Sequence, residues 1–248
     1  MKIIKYKKAT KNKYKIYLDD GREFLLYEDV ILKFELLLKK EVFEEDIVSI
    51  EHFNQECDVY YVALENINHR FKSVHDVREM LHKKEFPVEF IDKAIEKLER
   101  QGYLSDVVFA KSYINNQIIT TNKGPYRIKR ALEEHGINPS IIDRELVVFD
   151  ECCQLQKINK VANKIYNSNR NKGGVVLRKK IVNDLINLGY DNLIISKVID
   201  EFDFSNNKDI ASKEYEKLYK KLSRKYNGKE LEYKIKEKLY QKGLYYEG

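Results

Sequence analysis

The sequence predicts a mainly α-helical protein: tandem three-helix repeats in an elongated array, behind a small N-terminal β-hairpin. Three observations carry this. Only three Pro and ten Gly occur in 248 residues, few for a β-rich protein with many turns. One stretch, residues 13 to 27, reads as strand. From Asp46 onward a ladder of apolar and glycine positions at helical spacing recurs four times.

The strand stretch, KYKIYLDDGREFLLY, places two β-type runs around Asp20-Gly21, a strong hairpin signal. An isolated hairpin is marginal in water, so it needs a further strand from KIIKYKK or cover from the helix suggested by Glu28 to Leu38. The first 17 residues hold seven Lys and no acid, which suits either a Lys-protected sheet edge or a binding arm.

The repeat is anchored on Leu81, Leu132, Leu185 and Leu239, spaced 51, 53 and 54 residues apart. Four residues before each anchor stand Val77, Ile128, Ile181 and Ile235. Four after the last three stand Gly136, Gly189 and Gly243. Phe90 and Ile91, Ile141 and Ile142, and Ile194 and Ile195 follow at nine and ten. In the second unit, helices are expected from about Ser105 to Ile119, from Pro125 to His135, and from Pro139 to about Val148. Pro125 suits a first helical position, and Gly136 suits the residue just past a helix end. Ser73 with Asp76 forms a capping box, Asn138 and Asp191 are N-caps, and Gly102 closes a third helix. Gly173-Gly174 opens a helix as Gly124-Pro125 does one unit earlier. The expected divisions are 1–45 for the hairpin and short helix, then repeats at 46–104, 105–150 and 151–206. A partial fourth repeat at 207–248 has two helices and lacks the third. Because one helix pair cannot bury its apolar stripe alone, the units are expected to stack.

Lysines and arginines recur on the second helix of each unit: Arg70, Lys72, Arg78, Lys83 and Lys84, then Lys123, Arg127, Lys129 and Arg130, then Arg178, Lys179 and Lys180. Stacking would gather them into a discontinuous basic stripe. The alternative is a solvated exterior paired with Glu79, Glu133 and Glu134. In the second unit four cations lie near a helix start, against its dipole, and serve no need of the helix itself.

The formal charge of +6 is compatible with an acidic partner or nucleic acid and demonstrates neither. Cys57, Cys152 and Cys153 form no C-x-x-C pair, and no apolar run reaches membrane-spanning length, so a reduced, cytoplasmic protein is expected. His69, His75 and His82 lack a completing Cys or acid cluster, and no phosphate-binding, dinucleotide or nucleophile-elbow motif occurs. The expectation is no enzyme, no cofactor and no metal.

Three ordered segments resemble the RecX family, the regulators of the RecA recombinase. HRFKSVHDVREML (69 to 81) resembles the R-x-R-S-x-x-E-L signature, with Lys72, Asp76 and Val77 as departures. LERQGYLSDVVFAKSYI (98 to 114) and KGPYRIKRALEEHGI (123 to 137) resemble the two following segments. The likeness is sharp over about 60 to 150 and looser across the hairpin and the third unit. It implies a curved all-helical array lying in the groove of the RecA filament, without catalytic activity. The function so implied is modulation, chiefly inhibition, of RecA ATPase, strand exchange and filament growth. The partner is the RecA filament, with weak direct DNA contact, no membrane and a monomeric chain. The second hypothesis is direct DNA binding through helix-turn-helix-like repeats.

Overall fold

The structure, a computed structural model, describes residues 1–69, 71–169, 171–205 and 208–245. The chain is 66% helical with a three-stranded antiparallel sheet at its start. It divides into two compact units, Met1–Ala110 with Glu134–Ile141, and Lys111–Glu133 with Ile142–Gly248. The division passes within the helices of the second expected repeat.

In the first unit, β1 (Ile3–Lys8), β2 (Lys13–Leu18) and β3 (Glu23–Tyr27) pair in that order, so KIIKYKK supplies the third strand. Strand alternation turns Ile16, Leu18 and Leu26 inward, where they share a core with Val30, Ile31, Leu36 and Val42. The helix expected over 28 to 38 is two pieces, α1 (Glu28–Lys33) and α2 (Leu36–Lys39). Glu35 breaks it with φ +56, and the break lets Val30, Ile31 and Leu36 reach one core.

After a 3-10 turn (Glu44–Asp46) comes α3 (Ile47–His69). It ties to the sheet where the Tyr27 N–H donates to Asn54 Oδ1 at 3.0 Å and the Tyr27 ring stacks on Tyr61 with centroids 4.7 Å apart. Buried Cys57 lies in this packing, and its thiol is pushed up to about 12 by burial, as befits an inert core side chain. Helices α4 (Val74–His82) and α5 (Val88–Arg100) join α3 around Val59, Val77, Leu81, Ile91 and Leu98. Ser73 caps α4 with the expected capping box, and Gly102 follows α5 at φ +75.

The helices of the second expected repeat are α6 (Asp106–Thr120), α7 (Pro125–Glu134) and α8 (Pro139–Leu146), within two residues of the expected bounds. Asn138 Oδ1 accepts from the Ser140 N–H at 2.9 Å, as an N-cap should. In the second unit follow α9 (Glu151–Ser168), α10 (Gly174–Leu188) and α11 (Asn192–Ile199), then α12 (Lys208–Leu222) and α13 (Gly228–Gln241). Asp191 caps α11 through the Leu193 N–H at 2.7 Å. Leu81, Leu132 and Leu185 are 0% exposed and Leu239 1%, so the four anchors are core positions.

In the second unit the start of one second helix meets the end of the next. The Gly124 N–H donates to Leu188 O at 2.7 Å and the Tyr126 N–H to Gly189 O at 3.1 Å, tying the mouth of α7 to the end of α10. A Cβ on Gly124 would lie 2.5 Å from the Gly189 carbonyl oxygen, so only glycine permits this approach. One repeat on, the Gly173 N–H donates to Lys242 O at 2.7 Å, and a Cβ there would strike the Gly243 carbonyl. In the first unit the capped start of α4 meets Gly136, over which the His75 side chain lies. The fourth counterpart is Glu85, left-handed at φ +61 without being glycine. The element before its repeat is the sheet, with no earlier helix mouth to accommodate.

Leu132→Ala is expected to lower stability by about 2–5 kcal/mol in urea denaturation, the range for a fully buried leucine. Gly124→Ala separates two effects of opposite sign. In an open position the alanine would stabilise by about 0.4–1 kcal/mol. Against the Gly189 backbone it is expected to destabilise by about 1–3 kcal/mol, the cost of overpacking.

Candidate partner-binding face

The basic residues of the second helices divide into two groups. Arg78 pairs with Asp92, and Lys129 Nζ lies 2.6 Å from Asp143 Oδ1. Both cations stand three residues before their leucine anchor and both acids eleven after it. The same bridge therefore joins second helix to third in successive repeats, α4 to α5 and α7 to α8. The Asp143 carboxylate raises the Lys129 pKa, chiefly through that hydrogen bond. Arg178 reaches Asp200 at 3.2 Å, just past α11, and Lys180 reaches Asp184 at 2.7 Å along α10. These pairs are exposed and each contributes about 0–1 kcal/mol, so they orient helices more than they hold them. The acids engaged by Arg78, Lys129, Arg178 and Lys180 are aspartates of neighbouring turns and helices.

Lys72, Lys123, Arg127 and Lys179 have no carboxylate at ion-pair distance among the described residues. Lys72 and Lys123 flank the starts of α4 and α7, while Arg127, Arg130 and Lys179 are exposed on α7 and α10. Arg127 also has a structural part that spacing alone did not suggest: its Cγ lies 2.9 Å from where a Cβ on Gly189 would stand. Its stem covers the glycine and its guanidinium is at the surface. Arg70 lies outside the described residues.

Within the second unit these cations do not form one cluster. In the second unit Arg127 sits at Gly189, the far end of α10, while Arg178 is near its start. Eleven residues of helix separate the two, about 16 Å along the axis. What recurs is a local pairing of cation with exposed apolar side chain. Phe71, 72% exposed, adjoins Lys72; Tyr126, 61%, lies between Lys123 and Arg127; Val175, 78%, precedes Arg178 by less than a turn. Phe71 and Lys72 also line a cavity of about 360 Å³ with Tyr103, Val108 and Phe109. Phe71 and Val175 both stand ten residues before their anchor. This signal was available in the sequence, but an apolar residue at a helix mouth reads there as a core position.

His135, expected only as a helix-end residue, has a partner in the first unit. Its Nδ1 lies 3.0 Å from Asp76 Oδ2, so the ring donates to the carboxylate that completes the α4 capping box. Phe109 meets the same imidazole edge-on at 5.2 Å. Among the described residues no three His, Cys, Asp or Glu side chains are grouped to hold a metal ion, and no helix is long and apolar enough to cross a membrane.

Comparison with known proteins identifies this architecture. Residues 105–146 match the family model for the second three-helix domain of RecX. The regulatory protein RecX of Listeria innocua is 31% identical over 100% of this chain and 94% of the relative. That of Staphylococcus saprophyticus is 32% identical over 98% of this chain and 91% of the relative. A crystal structure of regulatory protein RecX superposes with a TM-score of 0.72 at 29% identity, covering 81% of this chain and 99% of its own. RecX from Lactobacillus salivarius gives 0.58 at 25% identity over 59% of this chain and 96% of its own. Likeness of this kind along the whole length, on the same helices whose glycine-bounded mouths carry the exposed cations, means that the chain belongs to the RecX family of regulatory proteins.

Proposed function

We propose that this chain binds the RecA nucleoprotein filament in its helical groove as a monomer in the cytoplasm, and restrains RecA ATP hydrolysis, strand exchange and filament growth. Each three-helix repeat, at 46–104, 105–150 and 151–206, acts as one recognition module. The observation that carries the reading is the recurrent cation beside an exposed apolar side chain at the mouths of α4, α7 and α10. Arginine with aromatic and aliphatic groups is the composition of protein interfaces, and the positive charge suits an acidic groove or the DNA within it.

Repetition fits a helical polymer, since equivalent modules meet equivalent surfaces on successive subunits. Individually weak contacts then combine through effective concentration. Arg70, Lys72, Lys123, Arg127, Arg130 and Lys179 are the residues assigned to the partner. Arg78, Lys129, Arg178 and Lys180 hold aspartates in the free protein and contribute by orienting the helices.

Arg127→Glu with Arg130→Glu is the test. Glu retains the Cβ and Cγ that lie over Gly189, so thermal stability is expected to stay within about 0.5 kcal/mol of the parent, as for ordinary surface changes. Co-sedimentation with RecA filaments is expected to weaken at least tenfold, and inhibition of RecA ATP hydrolysis to fall with it. A double variant that sediments like the parent would remove these arginines from the interface. Salt supplies the second measurement. Contact directed at the filament protein gives a shallower dependence of log affinity on log salt than phosphate binding alone, and requires the recombinase.

A further inference from the structure

The outward face of the N-terminal sheet groups lysines around an aromatic ring. Strand alternation and the pairing register place Lys5, Lys7, Lys15, Tyr17 and Leu25 together on it. Tyr17 of the central strand stands opposite Lys5 and Glu23, and Lys15 opposite Lys7 and Leu25. Lys15 and Lys7 are thus like charges directly across a strand pair, an arrangement that disfavours the sheet. One carboxylate answers them: Glu23 Oε2 lies 2.5 Å from Lys15 Nζ. Among the described residues no carboxylate lies at ion-pair distance from Lys5 or Lys7, both exposed. Two ammonium groups flank the ring of Tyr17, Lys5 at 5.9 Å and Lys15 at 5.3 Å from its centroid.

Lysines on an edge strand guard against edge-to-edge pairing, which accounts for Lys5 and Lys7 on β1. It does not account for a lysine and an aromatic ring side by side on the central strand. Lys13, also central, is spent differently: it is fixed by Asp58 at 2.9 Å and sits over the Tyr27 ring at 4.3 Å.

We propose that this sheet face binds single-stranded nucleic acid, with Lys5, Lys7 and Lys15 on successive phosphates and Tyr17 stacked against a base. Cations at every second residue of a strand recur about every 6.6 Å, a spacing able to follow an extended backbone. An aromatic ring among them offers a π-face that any base can use. An acidic protein segment or an anionic membrane would use the lysines and have no need of the ring, so the combination favours a nucleobase polymer. This surface is separate from the second-helix cations, and the experiment contains no recombinase. Its failure would therefore leave the filament proposal untouched.

The test is fluorescence anisotropy of labelled oligothymidine with the full chain, titrated over a range of salt. Lys5→Glu with Lys7→Glu is expected to weaken binding more than tenfold and to lower the log–log salt slope by about 1.4, two phosphate contacts at about 0.7 each. Tyr17→Ala is expected to weaken binding at least fivefold and to leave the slope unchanged, while Tyr17→Phe binds like the parent. Lys5→Gln with Lys7→Gln, checked by circular dichroism, gives the same direction without introduced acids should the reversal unfold the sheet. A parent that does not bind oligothymidine, or a slope unaltered in both lysine variants, overturns the proposal. So does equal loss of binding to poly-glutamate or phosphatidylserine vesicles with Tyr17→Ala neutral, which would make the face a general polyanion surface.

Discussion

Gly136 meets the His75 side chain near the start of α4, whereas two backbone-to-backbone seams join the second helices that follow: Gly124 against Gly189, and Gly173 against Gly243. At both seams the amide of the mouth glycine donates directly into the last carbonyls of the next helix, Leu188 and Lys242. Those carbonyls have no partner within their own helix, so the seam satisfies groups that every helix end leaves open. A side chain between the two backbones would break both the hydrogen bond and the packing. The terminal glycines thus meet two demands, a left-handed φ and an approach closer than a Cβ allows.

The seams decide where charge is available. A helix mouth held against another backbone is fixed in place, so the residues on either side of it become a fixed surface. Lys123 with Tyr126 occupies such a position beside Gly124. Cations one turn deeper, Arg78 and Lys129, lie within reach of the third helix of their own repeat and close onto Asp92 and Asp143. One basic helix face is therefore divided by depth: Lys72 and Lys123 at its outer end hold no carboxylate among the described residues, and its middle braces the repeat.

The N-terminal sheet follows another principle, in which alternation separates an apolar face from a basic one. Ile16 and Leu18 point into the core while Lys15 and Tyr17 point away from it, on the same strand. The two basic surfaces differ in their setting: the helical one mixes cations with isolated apolar groups, the sheet one arrays lysines around a single ring.

Much of this is legible in the sequence. Helical periodicity, the Asp20-Gly21 turn, the Ser73 capping box, and the Asn138 and Asp191 caps are local signals, each fixed by residues within one or two turns, and local physics reads them well. The four leucine anchors were equally legible, because burial of one stripe per helix imposes the same spacing in every repeat. The break at Glu35 was not, since it depends on bringing Val30, Ile31 and Leu36 to one core. Nor were the aspartate partners of Arg78 and Lys129, fourteen residues away in each case and on the next helix. The sequence by itself determined the helices, their caps and the repeat. Only the tertiary structure decided why Gly124 and Gly173 must be glycine and which cations are left over, because both depend on backbones and carboxylates brought together from distant parts of the chain.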